Sequence, residues 1–242
     1  MQKELLEVLA RNLNNLMKDE KINDLSYFDE EFIAKYTYDA ISMEGRNKIP
    51  YEKIKVLIEH KQIPNYSERE IKEVLNHVKC YEKICEWSKT KKDLSEEDIK
   101  DLHHLLEDEI YIGGVYRNVN ISINEAQHQP PNYIKVYDRM KRLFDDIITN
   151  DFSYLEKGVF IHAHLAKIHP FLDGNGRLGR LVLNFYLMKA GYLPISIAVS
   201  EREAYFKTID EFKINRDIKP LTSFVINKLV ERYELELKNL EN

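Results

Sequence analysis

The sequence predicts a mainly α-helical protein with one short β-hairpin, and three observations carry this prediction. Glycine and proline are scarce, at 8 and 7 of 242 residues. Leu, Ile, Glu and Lys recur at spacings of three and four through most of the chain, which is the helical period. Only residues 110–123 (IYIGGVYRNVNISI) gather β-branched and tyrosine residues around two glycines and then alternate, a pattern typical of a hairpin.

Ten helices are predicted, each ending where the apolar spacing stops. The seventh ends at Ile168, because Pro170 disfavours helical geometry in the residue ahead of it. The eighth is apolar on nearly every side and stops at Gly191, so we expect it to be buried. In chain order the predicted ranges are 3–20, 28–44, 51–62, 67–88, 95–108, 131–148, 155–168, 175–190, 201–213 and 219–240.

Composition favours one globular unit and excludes several classes of protein. The 43% apolar content is sufficient for a sizeable core, and no repeat or linker divides the chain. The net charge of −5 comes without a basic stripe, which argues against a nucleic-acid partner. No apolar run reaches the ~20 residues that span a bilayer, and the N-terminus is charged, so we expect a cytoplasmic protein. Cys80 and Cys85 are interpreted as reduced helix residues.

The residues with candidate chemical roles are concentrated in the stretch HPFLDGNGRLGR, residues 169–180, which leads into the eighth helix. The first turn of a helix has unpaired N–H groups and a partial positive charge. Gly174 and Gly176 allow an anion to approach that backbone, and Arg177 and Arg180, three apart, share one face. The stretch therefore predicts a polyphosphate site, whereas the plain alternative is a helix cap with solvated arginines.

Three further residues of this stretch complete a candidate site. Asn175 offers an amide donor, and Asp173 is the only carboxylate available to hold Mg²⁺ against the phosphates. His169 is the candidate base. His162 and His164 on the preceding helix are interpreted as buried helix histidines rather than metal ligands, because residues two apart face different directions.

The stretch resembles in full the signature of the Fic family, His-x-Phe-x-(Asp/Glu)-Gly-Asn-Gly-Arg-x-x-Arg. Upstream, GVYR at 114–117 and HQPP at 128–131 resemble the flap hairpin of the family and the turn after it. Downstream, AGYLPISI and REAYFKTI resemble the segments that follow the motif, so the likeness covers residues 36–213. It implies a Fic-type helical bundle with a hairpin flap beside the active-site loop.

The resemblance also implies an organisation and a reaction. N-terminal helices at 1–50, a Fic core at 51–213 and a helical extension at 214–242 would pack as one unit. The implied enzyme transfers AMP from ATP to a Tyr, Thr or Ser hydroxyl of a target protein, with Mg²⁺ as cofactor. The resemblance makes His169 the catalytic base and Asp173 the metal ligand. It assigns the binding of the phosphates to Gly174, Asn175 and Gly176, and the binding of the outer phosphates to Arg177 and Arg180.

Three other positions take roles from the same resemblance. The backbone of a target would add along the hairpin near Ile121 and Ile123. Tyr205 would line the nucleoside pocket, although a helix tyrosine is more often part of the core.

An inhibitory helix is also implied by YTYDAISMEGRNKIP at 36–50. It resembles the pattern (Ser/Thr)-x-x-x-Glu-(Gly/Asn) of Fic proteins that carry their inhibitor ahead of the core, with Ala40 at the usual Ser/Thr position. Glu44 would then pair with Arg180 and occupy the place of the γ-phosphate. The plain alternative is an exposed glutamate before a glycine cap.

Several functions stay open at this level. Removal of AMP, and transfer of UMP, phosphocholine or phosphate, occur within the family, although Gly176 argues against the phosphorylating branch. A different class of function is a nucleotide-sensing regulatory module without turnover. The intact His169 and Asp173 argue against it, because binding alone requires no base. Self-association into a homo-oligomer also stays open.

Overall fold

A computed structural model describes residues 2–19, 29–91, 93–123 and 128–240. The ten predicted helices are confirmed in these ranges, and the predicted ends at residues 20 and 28 lie outside them. The helices are α1 (Gln2–Asp19), α2 (Glu30–Ser42), α3 (Tyr51–His60), α4 (Glu68–Thr90), α5 (Glu96–Leu106), α6 (Val136–Thr149), α7 (Tyr154–Ile168), α8 (Asn175–Lys189), α9 (Arg202–Asn215) and α10 (Lys219–Leu240). Single 3₁₀ turns precede α6 and α9, at Tyr133–Lys135 and Val199–Glu201.

The β-hairpin predicted at 110–123 is not confirmed, because the described residues form no strand there, and 124–127 lie outside the description. Side chains take the place of a neighbouring strand. The Gln129 amide accepts from the Ile123 nitrogen at 2.9 Å and donates to its carbonyl at 3.0 Å. Arg117 donates to the Val119 carbonyl at 2.9 Å. Side chains thus bond the backbone at Val119 and Ile123, where a strand partner would otherwise do so.

Helices α7 and α8 form the centre of the bundle. Thirteen of the fifteen residues of α8 are buried, as its apolar sequence predicted. Glycines allow the two helices to approach closely: a Cβ on Gly158 would lie 2.8 Å from the Tyr186 Cβ, and one on Gly179 would lie 2.5 Å from His162 Nδ1. The entrance to α8 is therefore held rigidly at the middle of the fold.

Two apolar clusters flank this central pair. One is built with α4, α5 and α6, and the other with α1, α9 and α10. Helix α1 packs along α10, where Leu6 and Tyr233 are buried in one cluster. Cys80 and Cys85 are buried free thiols, as predicted. Among the described helices, each is too short or too polar to cross a bilayer.

Candidate active site

The loop between α7 and α8 is fixed at both ends by left-handed backbone. His169 caps α7 with φ 51° and donates its N–H to the Leu165 carbonyl at 2.8 Å. Gly174 precedes α8 with φ 73°, and a Cβ there would lie 2.4 Å from Glu107 Oε1. Only glycine fits that conformation and that space, which is why this glycine opens α8.

Asn175 holds the loop in shape from within. Its Oδ1 accepts from the Phe171 nitrogen at 3.0 Å, and its Nδ2 donates to the Phe171 carbonyl at 2.9 Å and to the Asp173 carbonyl at 3.3 Å. The side chain is buried. The amide donors are used inside the loop, so a contact of Asn175 with phosphate stays a prediction.

His103 on α5 supports the loop from outside and was missed in the sequence. Its ring stacks on Phe171 at 3.7 Å between centroids. Nδ1 accepts from the Gly114 nitrogen at 2.9 Å, so Nε2 carries the proton and donates to the Asp173 carbonyl at 3.0 Å. Burial lowers the His103 pKa to about 4, which keeps the ring neutral in this bridging tautomer.

His169 projects into the cavity as a neutral imidazole. Burial is the main cause that lowers its pKa to about 4, and the nearby charges of Lys213 and Arg117 lower it further. Its carbonyl accepts from Arg117 Nε at 2.9 Å, so the backbone of this residue is held by a buried guanidinium. A neutral imidazole facing a cavity is able to accept a proton from a bound hydroxyl.

The Asp173 carboxylate is ionised and surrounded by cations. Oδ1 accepts from the Gly174 nitrogen at 2.8 Å, and Oδ2 accepts from Arg46 at 2.6 Å and from Arg69 at 3.4 Å. Burial raises the pKa of this carboxyl, but the Gly174 hydrogen bond and the charges of Arg177, Arg46 and Arg69 outweigh it and lower the pKa overall.

Asp173 is the residue of this loop that could hold Mg²⁺, together with phosphate oxygens. Within the described ranges, no group of three His, Cys, Asp or Glu side chains is arranged to hold a metal. Asp173 lines the cavity, and its carboxylate already attracts positive groups. One carboxylate completed by phosphate oxygens and water is the usual coordination of Mg²⁺ in nucleotide sites.

Arg177 lies between two glutamates, one of which the sequence did not indicate. Its Nη2 donates to Glu107 Oε1 at 3.0 Å, and its Nε lies 3.4 Å from Glu44 Oε2. Glu107 is fully buried, and burial raises its pKa to about 7, although the Arg177 charge acts in the opposite direction. No motif pointed to Glu107, because it comes directly after α5 in an ordinary acidic stretch.

Glu44 reaches both arginines of the loop. Its Oε1 lies 3.7 Å from Arg180 Nη2 and its Oε2 is closer to Arg177, whereas the family pattern paired it with Arg180 alone. A Cβ on Gly176 would lie 3.0 Å from Glu44 Oε1, so the carboxylate rests against the first turn of α8. Arg180 also donates to the Ala40 carbonyl at 2.8 Å. Ala40 thus binds Arg180 through its backbone oxygen, and Ala40 is the position at which the family pattern has Ser or Thr.

The cavity in front of the loop has a volume of about 690 Å³. Its walls include the predicted residues His169, Asp173, Gly174, Asn175, Gly176, Arg180, Glu44, Tyr205, Ile121 and Ile123, whereas Arg177 is buried behind Glu44. Lys213 and Asp210 on α9 also line the cavity, and the sequence had not indicated them.

Tyr205 combines a core position with a place on the cavity wall. The side chain is 2% exposed, and its hydroxyl lies 2.7 Å from His162 Nε2. Burial lowers the His162 pKa to about 3, so this ring is a neutral partner of the tyrosine. The interpretation of His162 as a buried helix histidine agrees with this position, and the nucleoside role of Tyr205 stays a prediction.

The helical bundle and its loop are those of a Fic-fold protein. A Fic domain containing signaling protein from Bacteroides thetaiotaomicron superposes with a TM-score of 0.85 at 21% identity, covering 100% of this chain and 98% of that one. A Fic family protein from Desulfovibrio desulfuricans gives a TM-score of 0.81 at 22% identity, with 98% and 75% coverage. Residues 93–187 match the Fic/DOC family, so the chain contains a Fic domain.

Curated relatives are similar over most of this chain. Protein adenylyltransferase Fic of Nematostella vectensis is 28% identical over 208 residues, which cover 81% of this chain and 47% of the relative. Protein adenylyltransferase fic-1 of Caenorhabditis elegans is 27% identical over 199 residues, which cover 78% and 38%. The chain therefore spans less than half the length of these relatives.

Proposed function

We propose that this chain transfers AMP from ATP to a hydroxyl side chain of a protein, and that Glu44 holds the site closed. The observation that carries the proposal is that His169, Asp173 and the first turn of α8 face one cavity, with Glu44 across its arginines. The adenylyltransferase names of the curated relatives favour AMP as the group transferred.

The loop binds the triphosphate of ATP through its backbone and its arginines. The first turn of α8 offers backbone N–H groups to an anion, and Gly174, Asn175 and Gly176 line the cavity in front of it. Arg180 and Arg177 would hold the outer phosphates once Glu44 moves away. Tyr205, with the apolar cavity wall, would contact the nucleoside.

In the reaction, the target hydroxyl oxygen forms a bond to the α-phosphorus, and the bond from that phosphorus to the β-phosphate oxygen breaks. His169 accepts the hydroxyl proton, and pyrophosphate leaves on the side held by the arginines. Asp173 would hold Mg²⁺, which when bound offsets the charge that develops on the phosphates. The segment with Ile121 and Ile123 would align the backbone of the target.

Inhibition follows from competition between two anions for the same cations. The Glu44 carboxylate contacts both guanidiniums that the outer phosphates require, so ATP binds productively only when this carboxylate is displaced. Replacing Glu44 should therefore raise transfer without altering the base or the metal ligand.

The test uses ATP labelled at either the α- or the γ-phosphate, with self-modification of the chain as readout. We expect Glu44→Gly to incorporate the α-label much faster than wild type, Glu44→Gln to be intermediate, and neither to incorporate the γ-label. Adding His169→Asn to Glu44→Gly should abolish incorporation. Asn is chosen because it tolerates the left-handed backbone at this position.

Other results would replace the proposal with a specific alternative. Incorporation of the γ-label alone would identify phosphoryl transfer. Tight ATP binding by calorimetry without any incorporation, in wild type and in Glu44→Gly, would identify a nucleotide-sensing module. Equal rates for wild type and Glu44→Gly would contradict inhibition by Glu44 but leave AMP transfer standing.

A further inference from the structure

The turn that carries Glu44 also covers the carboxylate of Asp173. Arg46, two residues after Glu44, donates from Nη1 to Asp173 Oδ2 at 2.6 Å. Glu44 and Arg46 both line the cavity, one across the arginines and the other across the metal-ligand carboxylate. A single short turn thus contacts both charged parts of the site.

Gly45 allows the side chains on either side of it, those of Glu44 and Arg46, to line the same cavity. It adopts φ 72°, and a Cβ added there would have no atom within 4 Å, so the backbone conformation and not crowding selects glycine. Its N–H donates to the Ser42 carbonyl at 2.9 Å, which closes the turn at the end of α2. The carboxylate of Glu44 and the guanidinium of Arg46 are thereby presented together.

We propose that the turn Glu44–Gly45–Arg46 is a built-in mimic of a metal–triphosphate, in which Arg46 occupies the cation position on Asp173 while Glu44 occupies the phosphate position. This inference rests on the proposed function and deepens its regulation. The mimic carries one negative and one positive group, matched to the opposite charges of the loop. Metal and nucleotide would then displace the two ends of the same turn.

Flanking contacts hold the turn as one piece. Arg202 donates to the Met43 carbonyl at 3.0 Å on one side. On the other, the buried Asn47 amide donates to the Glu70 carbonyl at 3.0 Å and to Glu73 Oε2 at 3.1 Å. With both flanks anchored, Glu44 and Arg46 are held in one short turn, and we expect loss of the Arg46 contact also to loosen Glu44.

Arg69 provides a matched control on the same carboxylate. Its Nη2 lies 3.4 Å from Asp173 Oδ2, and its Nε donates to Glu73 at 3.1 Å. Arg69 lies on α4 and not in the turn. Arg69→Gln removes the same charge as Arg46→Gln, and therefore separates loss of a positive charge near Asp173 from loss of the closer contact that the turn makes.

The size of the effect is limited by exposure. The Arg46 side chain is 64% exposed, and ion pairs of this kind contribute little, so its removal should strengthen metal binding by about two- to fivefold. Arg46→Lys keeps the positive charge but lacks the planar guanidinium, so we expect a metal affinity between those of wild type and Arg46→Gln.

The experiment measures Mn²⁺ binding by electron paramagnetic resonance in the presence of a non-hydrolysable ATP analogue. The Mn²⁺ concentration for half saturation should fall about two- to fivefold in Arg46→Gln and less in Arg69→Gln. Asp173→Asn should abolish the bound signal in each background. In the double variant with Glu44→Gly, the effect of Arg46→Gln on analogue affinity should shrink, because one turn carries both contacts.

An unchanged or higher half-saturating Mn²⁺ concentration in Arg46→Gln, or an equal fall in Arg69→Gln, would overturn the proposal. Additive effects of the two turn substitutions would overturn the shared-unit part of it. These readouts involve no transfer of AMP. Failure of the labelling experiment with normal Mn²⁺ results would therefore count against the proposed function alone.

Discussion

The guanidinium of Arg117 holds the backbone of His169. Its Nε donates to the His169 carbonyl at 2.9 Å, while its other nitrogens donate to the carbonyls of Val119 and Pro131. The side chain is buried, and the backbone N–H of Arg117 donates to the Pro170 carbonyl at 2.9 Å. One residue therefore ties the candidate base to the segment that leads to Ile121 and Ile123.

Arg117→Lys should slow transfer while leaving ATP binding intact. Lysine keeps the charge but cannot direct donors to three carbonyls in this fixed geometry, so the His169 ring loses its fixed position relative to Val119 and Pro131. A small misplacement of a reacting group costs up to about 100-fold in rate. We expect a loss of at least about tenfold in α-label incorporation, measured in the Glu44→Gly background.

Calorimetry with ATP is the control for this variant, because Arg117 does not line the cavity. A parallel loss of ATP affinity and of transfer would show that the substitution damages the fold generally, and would contradict a positioning role.

Gly174→Ala should destabilise the protein much more than Gly191→Ala. Both glycines have positive φ, 73° and 81°, so an added Cβ costs each about 1–2 kcal/mol of backbone strain. Only at Gly174 does the Cβ also meet Glu107 Oε1 at 2.4 Å, whereas Gly191 has open space. Urea unfolding of both variants measures the difference, which we expect to exceed about 1 kcal/mol. Equal losses would mean that Glu107 moves aside freely.

Tyr205→Phe should lower the free energy of unfolding by about 1–2 kcal/mol, because the variant leaves His162 Nε2 without its buried partner. The ring stays on the cavity wall, so ATP affinity should remain within about twofold of wild type. Chemical denaturation and calorimetry test the two parts separately. A large loss of ATP affinity with unchanged stability would assign the hydroxyl to nucleotide contact instead.

Acid should destabilise the protein through its buried histidines. Burial is the main cause that lowers the pKa of five of them from 6.5: to about 3 for His77 and His162, and to about 4 for His103, His164 and His169. The unfolded state therefore binds more protons than the folded state between about pH 6.5 and 4. The stability from the neutral rings is complete above that window and is lost as the pH falls through it.

Urea midpoints measured from about pH 7.5 to 4.5 check this prediction. His103→Gln should flatten the fall, whereas the exposed His60→Gln controls for replacing a histidine at the surface. A midpoint that stays constant from about pH 6.5 to 5 would contradict it.

Local patterns were sufficient for the helices and for the loop. Apolar spacing predicted that α8 is buried, and Pro170 and the glycines placed the loop between α7 and α8. These features depend on neighbours in sequence. The anion site at the first turn of α8 stays a prediction. The start of α6 was harder, since the 3₁₀ turn at Tyr133–Lys135, capped by Asn132, delays it to Val136 rather than 131.

Contacts between residues that are far apart in the chain could not be predicted from local sequence patterns. Glu107, His103 and Arg46 contact the loop from α5 and from the turn after α2, and each sits in an ordinary charged stretch. The hairpin at 110–123 was expected from β-branched residues, but the described residues form no strand there, and Arg117 and Gln129 bond the backbone at Val119 and Ile123. Hydrogen bonds from side chains to the backbone produce no alternating pattern in the sequence, so the sequence did not distinguish this segment from a strand.

The self-contained loop closed by Asn175 has a consequence for how this protein is switched. Because Asn175 bonds the loop to itself, the backbone is preorganised and needs no ordering when a nucleotide arrives. On the proposed function, activation would then require no folding step and no reshaping of this loop. It would be an exchange of ions, in which Arg46 and Glu44 leave and Mg²⁺ and the phosphates of ATP bind in their place.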